Sequence, residues 1–296
     1  MTGLVGVVAL LLAGSAWAET PARFFVMGDG TLALVNAHTN ERVDVRYRRK
    51  DGTYDDAAVA RIRRAFRSAG DAGEGKASLR LIEVLSRLQR QAKTRPLTLV
   101  SGYRSPVYNE GLRAQGVRAA GGSLHTEGLA ADVAFPRPIL KGLWLDLRAL
   151  QCCGAGYYAK EGFLHVDVGK PRFWEPVTSR VEENLSAGNA RLFARTEFDR
   201  YELGEAVRVS LHALTVPPVR IAREARLVPE EGETVRVAVD GEAAERDGCL
   251  ELTASGGEVR VTGVPRAIRG RIVVPTCEPR SERTPVSIDS NVVEFR

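Results

Sequence analysis

The sequence has 296 residues, of which 44% are hydrophobic and 27% are charged, and its net charge is +5. These values are close to those of average globular proteins, so they exclude a disordered chain, a collagen and a simple coiled coil. At the usual ~150 residues per domain, the length is sufficient for about two domains.

The N-terminal segment has the pattern of an export signal. It is apolar from Leu4 to Leu12 and ends in Ala16-Trp17-Ala18, the small-x-small pattern that signal peptidase accepts. We expect cleavage after Ala18, which would place the mature chain in the periplasm or another oxidising compartment. An ordinary buried N-terminal helix is the alternative. Beyond this segment no stretch reaches the ~20 apolar residues of a membrane span, so we expect no stable span in the mature chain.

Basic residues are concentrated in the first part of the chain. Residues 1–185 contain 26 Lys+Arg and 19 Asp+Glu, a net charge of +7, whereas residues 186–296 contain 16 and 18, a net charge of −2. A basic surface can attract nucleic acid, anionic lipid or an acidic polymer. Export favours the acidic polymer, with the bacterial cell wall as candidate and no role for nucleic acid. An ordinary solvated surface is the alternative.

The first part of the chain mixes strand and helix patterns. Polar and apolar residues alternate from Phe24 to Arg49, which predicts a meander of two or three strands. The pattern then predicts a helix capped by Asp55 or Asp56, a helix ending before Pro96, a buried strand at 97–101, a helix begun by Ser105-Pro106, and a helix at 138–150.

From about residue 190 the pattern is that of strands alone, with turn residues every eight to twelve positions. It predicts an all-β sandwich of immunoglobulin-like type at residues 189–296, after a linker from Glu175 to Gly188. No catalytic constellation occurs in this region. We expect it to bind the cell wall, to bind a protein partner or to act as a spacer.

The four cysteines lack the C-x-x-C spacing of a structural zinc site. Cys249 and Cys277 are expected to form a disulfide between two strands. Because a disulfide between neighbouring residues is strained, we expect Cys152 and Cys153 to be two small buried thiols.

Two of the four histidines precede a carboxylate at short spacing. His125 lies seven residues before Asp132, and His165 lies two residues before Asp167. If residues 129–135 form a strand, the carboxylate of Asp132 has only small alanines beside it on its face, and a neighbouring strand would bring His165 next to it. Zinc with three protein ligands keeps a fourth position open, the catalytic arrangement. The alternative is a pair of buried, hydrogen-bonded histidines. We interpret the other two histidines, His38 and His212, as surface or core residues.

Three blocks of the first part occur in a fixed order. They are Ser101-Gly-Tyr-Arg-Ser-Pro106, Ser123-x-His-x-x-Gly-x-Ala-x-Asp132, and Gly156-Tyr-Tyr158 leading to His165-Val-Asp167. Together they resemble the zinc peptidases of the lysostaphin, D-Ala-D-Ala metallopeptidase and sonic hedgehog type, and within these the MepK/YcbK-like periplasmic murein endopeptidases. The resemblance extends from Leu32 to Trp174 and includes Leu34–Thr39.

This resemblance implies an α+β zinc peptidase domain at residues 19–180, an antiparallel sheet with helices, in which His125, Asp132 and His165 bind one Zn²⁺ ion. It implies an exported enzyme that hydrolyses peptide cross-links of peptidoglycan, either between diaminopimelate residues or between D-alanine and diaminopimelate. The alternatives are a D,D- or L,D-carboxypeptidase that trims stem peptides, and a non-hydrolytic wall-binding protein.

Peptide hydrolysis needs a donor where negative charge develops on the scissile carbonyl. Arg104 is the candidate for that role or for holding a substrate carboxylate, with a structural salt bridge as the alternative. Ser123 could donate a hydrogen bond to substrate or shape the turn before His125. Tyr103 could line the substrate groove or pack inside the domain.

The general base is less clearly indicated. Many relatives have an acid three positions before the last zinc histidine, but this sequence has Gly162 there. Asp167 could accept the proton of the attacking water, which we favour, or could orient an imidazole. Glu161 is the second candidate. We expect Glu127, inside the loop between His125 and Asp132, to be solvated.

Overall fold

The computed structural model describes residues 22–69, 75–115, 122–178, 185–278 and 281–296. The predicted signal peptide with its cleavage after Ala18, and the middle of the predicted linker, lie outside these residues. In the part of the chain that is described, no helix is both long and apolar enough to cross a membrane.

Within its described residues, the first region, 22–178, combines four α-helices with one sheet. The helices are α1 (Asp56–Ala65), α2 (Leu79–Ala92), α3 (Pro106–Ala114) and α4 (Arg137–Leu150), and the strands are β1 (Thr31–Asn36), β2 (Arg42–Arg46), β3 (Leu97–Ser101), β4 (Ala130–Ala134), β5 (Gly154–Tyr158), β6 (Phe163–Asp167) and β7 (Arg172–Trp174). The sequence predicted all four helices. Asp55 caps α1, since its side chain accepts a hydrogen bond from the Ala58 amide.

The seven strands form one sheet in the order β2-β1-β3-β4-β6-β5-β7. The prediction of an antiparallel sheet was wrong in part, because β1 pairs with β3, and β5 with β7, in parallel. The parallel pairing of β1 and β3 follows from the two helices between them, since a crossover of that length returns the chain to the same end of the sheet. The four remaining pairings are antiparallel, and they include β4 with β6.

The second region is made of strands. They are β8 (Phe193–Thr196), β9 (Arg200–Tyr201), β10 (Val207–His212), β11 (Val219–Ala222), β12 (Glu224–Pro229), β13 (Val235–Asp240), β14 (Ala244–Arg246), β15 (Cys249–Leu252), β16 (Glu258–Thr262), β17 (Ile268–Pro275) and β18 (Ser287–Phe295). Eight of them form a sheet in the order β8-β10-β16-β13-β12-β17-β18-β9, and three form a second sheet, β11-β15-β14. The region has an apolar core separate from that of the first region.

The cysteines form two disulfides. Cys249 and Cys277 are joined, as the sequence predicted. The prediction of two thiols at Cys152 and Cys153 was wrong, because these neighbours are also joined. They lie in the short turn between α4 and β5, where the chain leaves the helix through Gln151 at a φ of 50°, and this turn brings the two sulfur atoms together.

Candidate metal centre

The centre lies where β4 and β6 pair and where a 3-10 turn, Leu124–Glu127, leads into β4. The antiparallel register sets Asp132 directly opposite His165, as the sequence predicted. The turn ends at Gly128 with a φ of 69°, a left-handed conformation that favours glycine. A Cβ at this position would lie 2.7 Å from Lys76, so the close approach of the chain also requires glycine.

Three ligand atoms converge at this point. Nε2 of His125 is 3.3 Å from Nδ1 of His165, and these nitrogens are 3.5 and 2.9 Å from the carboxylate oxygens of Asp132. Ligand atoms ~2.0–2.1 Å from a tetrahedral zinc ion lie roughly 3.3 Å apart. The three side chains therefore have both the chemistry and the spacing of a three-ligand metal site.

The remaining ring nitrogens are occupied by other partners. Nδ1 of His125 donates to the Gly102 carbonyl at 2.7 Å, and Nε2 of His165 donates to Asp167 at 3.1 Å. Because each acceptor takes the proton of one nitrogen, the other nitrogen, Nε2 of His125 and Nδ1 of His165, is the one that would bind a metal ion, after His165 loses its second proton. Such outer partners orient the imidazoles in protein metal sites.

Burial and charge act against each other in this cluster. Burial lowers the pKa of His125. Burial would also lower the pKa of His165, but hydrogen bonds to Asp132 and Asp167 raise it to about 9. Burial would raise the pKa of Asp132, yet the two neighbouring imidazoles hold it well below its ordinary value. The carboxylate thus stays ionised, the form that binds a metal ion.

Asp167 lies behind His165 as seen from the three ligand atoms. Its carboxylate is fully buried, accepts from the Gly169 amide at 2.9 Å and pairs with Arg172 at 2.9 Å. It contacts the ring nitrogen of His165 that faces away from Asp132. A Cβ on Gly154 would approach the carboxylate to 2.2 Å, so this side is closed by backbone. Of the two roles predicted for Asp167, the geometry favours orientation of the imidazole over that of general base.

Arg104 lies on the open side of the centre. Its guanidinium donates to Asp132 at 3.3 Å and to the hydroxyl of Ser101 at 3.0 Å. The side chain lines a cavity of about 260 Å³ that also reaches Asp132, Arg67 and His38. Arg104 therefore faces both the metal centre and the space beside it.

Two predicted substrate contacts have other surroundings. Tyr103 is only 6% exposed and packs in the first apolar core, which agrees with the second of its two predicted placements. Ser123 is 8% exposed, and its carbonyl accepts from both the amide and the hydroxyl of Thr126. Its contacts are those of a residue that shapes the turn before His125.

Glu161 and Gly162, the positions considered for a conventional base, lie in the turn between β5 and β6. Glu161 is exposed there, and Gly162 has a φ of 80°. Glu127 was wrongly expected to be solvated, because its side chain is only 10% exposed and accepts from Nδ1 of His212 at 2.6 Å.

Sequence reasoning missed Trp174 at the centre. Its ring centroid is 5.1 Å from that of His165, and its Nε1 donates to the Tyr158 hydroxyl at 3.2 Å. Gly156 is its neighbour on β5, where a Cβ would come within 2.6 Å of the indole. The glycine of the Gly156-Tyr-Tyr158 block was the available clue to a large side chain on the adjacent strand.

Comparisons with known proteins place residues 27–174 in a described family. The family model Peptidase_M15_2, described as Peptidoglycan L,D-endopeptidase MepK, matches this segment, half of the chain. The match ends at the last residue of β7, so the second region lies outside it.

Curated relatives agree with this match. Peptidoglycan L,D-endopeptidase MepK of Escherichia coli K12 is 33% identical over 144 residues, which are 48% of this chain and 79% of that protein. The protein of the same name in Shigella flexneri has the same values. Probable peptidoglycan L,D-endopeptidase MepK of Haemophilus influenzae is 33% identical over 81 residues, 27% of this chain and 44% of that protein. No solved structure matches the chain significantly.

Proposed function

Since the chain belongs to the Peptidase_M15_2 family, we propose that it hydrolyses peptide cross-links of peptidoglycan at the centre formed by His125, Asp132 and His165. The observation that supports this most directly is the convergence of three ligand atoms within 4.8 Å of one another, inside the segment that the family model matches. The basic first region agrees with a substrate that has free carboxylates.

We propose one zinc ion as the metal. Two imidazole nitrogens and one carboxylate oxygen, each with an outer hydrogen-bond partner, form a donor set that suits zinc. When bound, zinc would polarise the scissile carbonyl and lower the pKa of a water molecule. Nε2 of His125 and Nδ1 of His165 would bind the ion, because the other nitrogen of each ring is hydrogen-bonded to Gly102 or Asp167.

The bond we propose is the L,D cross-link, following the names of the relatives. An L,D bond joins the carbonyl of an L centre to the amine of a D centre. This description fits a cross-link between two diaminopimelate residues, and it does not fit one between D-alanine and diaminopimelate. Arg104 would then donate to the carbonyl oxygen as it gains negative charge, or to a free carboxylate of the substrate.

Asp167 is proposed as a positioning residue. Substituting it by asparagine should weaken zinc affinity by roughly 10–100-fold, because His165 loses the ionised acceptor that fixes its ring. Hydrolysis should largely return when zinc is saturating. Zinc affinity by chelator competition, together with kcat at saturating zinc, would test this.

The opposite pattern would identify Asp167 as the general base. Zinc affinity would then be unchanged, while kcat at saturating zinc would fall by ~10²–10⁴-fold. Asp146→Asn is the matched control, since it makes the same substitution at an exposed acid of α4. It should leave both quantities unchanged.

We propose that the protein is exported to the periplasm after cleavage at Ala18, with a peptidase domain at 19–180 and an accessory domain at 189–296. The apolar N-terminal run and the Cys249–Cys277 disulfide support export. The two sheets and separate core of the second region support an immunoglobulin-like sandwich, which would be the site for a protein partner.

The test is cleavage of purified cross-linked muropeptides by residues 19–296, before chelation, after chelation and after zinc is restored. We expect dimers with diaminopimelate–diaminopimelate cross-links to yield monomers only when zinc is present. Loss of a terminal residue without monomers would indicate a carboxypeptidase. A protein that binds zinc and cuts nothing would be a non-hydrolytic wall-binding protein.

A further inference from the structure

A buried arginine of the second region holds the segment that follows His165 and Asp167. Arg195, on β8, is 9% exposed. Its Nε donates to the Val168 carbonyl at 2.6 Å, and one terminal nitrogen donates to the Gly169 carbonyl. A guanidinium presents its donors in a fixed planar fork. The carbonyls of Val168 and Gly169, both bound to the one guanidinium, are therefore fixed in both position and orientation.

A histidine of the second region holds the other ligand segment. Nδ1 of His212, at the end of β10, donates to one carboxylate oxygen of Glu127 at 2.6 Å, and the Ala213 amide donates to the other oxygen at 2.9 Å. The side chains of His212 and Glu127 are 9% and 10% exposed, so water competes little for this contact. Glu127 lies two residues after His125, in the same 3-10 turn.

The strand geometry explains why both contacts come from one surface. In the antiparallel pairing of β8 with β10, Phe193 is opposite His212. Residues two apart on a strand share a face, so Phe193, Arg195 and His212 lie on one face of the pair. Phe193 packs in the apolar core of the first region, whereas Ala194 and Leu211 pack in the core of the second. The two strands, β8 and β10, therefore pack against the first region with one face and against the second core with the other.

The two ligand segments are also tied to each other. The Val168 amide donates to the Leu129 carbonyl at 2.9 Å, and Leu129 follows the turn that contains His125. A shift of either segment is thus transmitted to the other. Arg195 acts on the carbonyl of Val168, the residue whose amide makes this link.

We propose that Arg195 and His212 are positioning residues of the metal centre, so that the second region supports the ligand geometry as part of the catalytic unit. The inference rests on the proposed metal site. Both residues lie beyond residue 174, where the family match ends, so this support is built from a part of the chain that the family model does not describe. The region thereby gains a role that neither wall binding nor spacing requires.

The experiment measures zinc affinity, the visible absorption spectrum of the Co²⁺-substituted protein, and kcat, for His212→Ala and Arg195→Met. Each variant should bind zinc about tenfold more weakly, with an altered Co²⁺ spectrum, because a ligand segment is loosened. His212→Asn keeps a donor near the position of Nδ1 and should recover most of the affinity. The matched control is Arg208→Ala. Arg208 lies on β10, as His212 does, and its substitution breaks an exposed salt bridge to Glu197. This variant should change none of these quantities.

The inference is overturned if both variants bind zinc with wild-type affinity and show the wild-type Co²⁺ spectrum, even when their melting temperature falls. If His212→Ala does not fold, Glu127→Gln replaces it, since it alters the same contact with almost no change in volume. A wild-type protein that binds no zinc would instead refute the proposed function. The two failures are therefore distinguishable.

Discussion

Replacing His165 by alanine is expected to abolish hydrolysis of cross-linked muropeptides and to release the metal ion. The loss should exceed the ~100-fold that removal of a ligand's hydrogen-bond partner can cost, because one of three ligand atoms disappears. His125 and Asp132 would remain within 3.5 Å of each other, and two protein ligands are too few for a stable zinc site. Metal content and monomer release, measured on the same preparation, check both parts.

His38→Ala is the control for loss of an imidazole. His38 is exposed, and its amide donates to the side chain of Asn36, away from the three ligand atoms, so this variant should retain the metal ion. Full zinc content in His165→Ala would refute the ligand assignment. Retained hydrolysis without zinc would refute the metal mechanism itself.

The pairing at the metal centre could be predicted because it depends on local pattern. A strand has a period of two, so Asp132 and His165 each had to lie on a defined face, and adjacent strands then bring them together. The same alternation put Asp167 on the face of His165. It could not show which ring nitrogen Asp167 contacts, because that depends on the rotation of the imidazole, and this left the base and positioning roles open.

The error at Glu127 concerns a contact between segments far apart in the chain. Glu127 was expected to be solvated, yet it is covered by His212, 85 positions away at the end of β10. For Tyr103 the sequence left two places open, the groove and the interior, and its ring packs in the first apolar core. Such outcomes depend on how distant segments of the chain pack together, which a single sequence does not reveal through its periodicity.

Arg104→Ala is expected to lower kcat by about 10²–10³-fold while zinc remains bound, because a donor that contacts Asp132 and lines the cavity beside it is lost. Arg104→Lys should recover only part of this, since an ammonium cannot keep both the Ser101 and Asp132 contacts of the planar guanidinium. Arg61→Ala, which removes an exposed arginine of α1, is the control for the change in net charge.

The substrate form distinguishes the possible roles of Arg104. If the guanidinium stabilises the developing oxyanion, kcat falls equally for a free and an amidated cross-link peptide. If it binds a substrate carboxylate, KM rises for the free acid, and the amidated peptide is cleaved no worse by the variant than by the wild type. If it is only a salt bridge to Asp132, zinc affinity falls and kcat at saturating zinc is unchanged. Because the guanidinium contacts Asp132 and also lines the cavity beside it, we expect the first of these results.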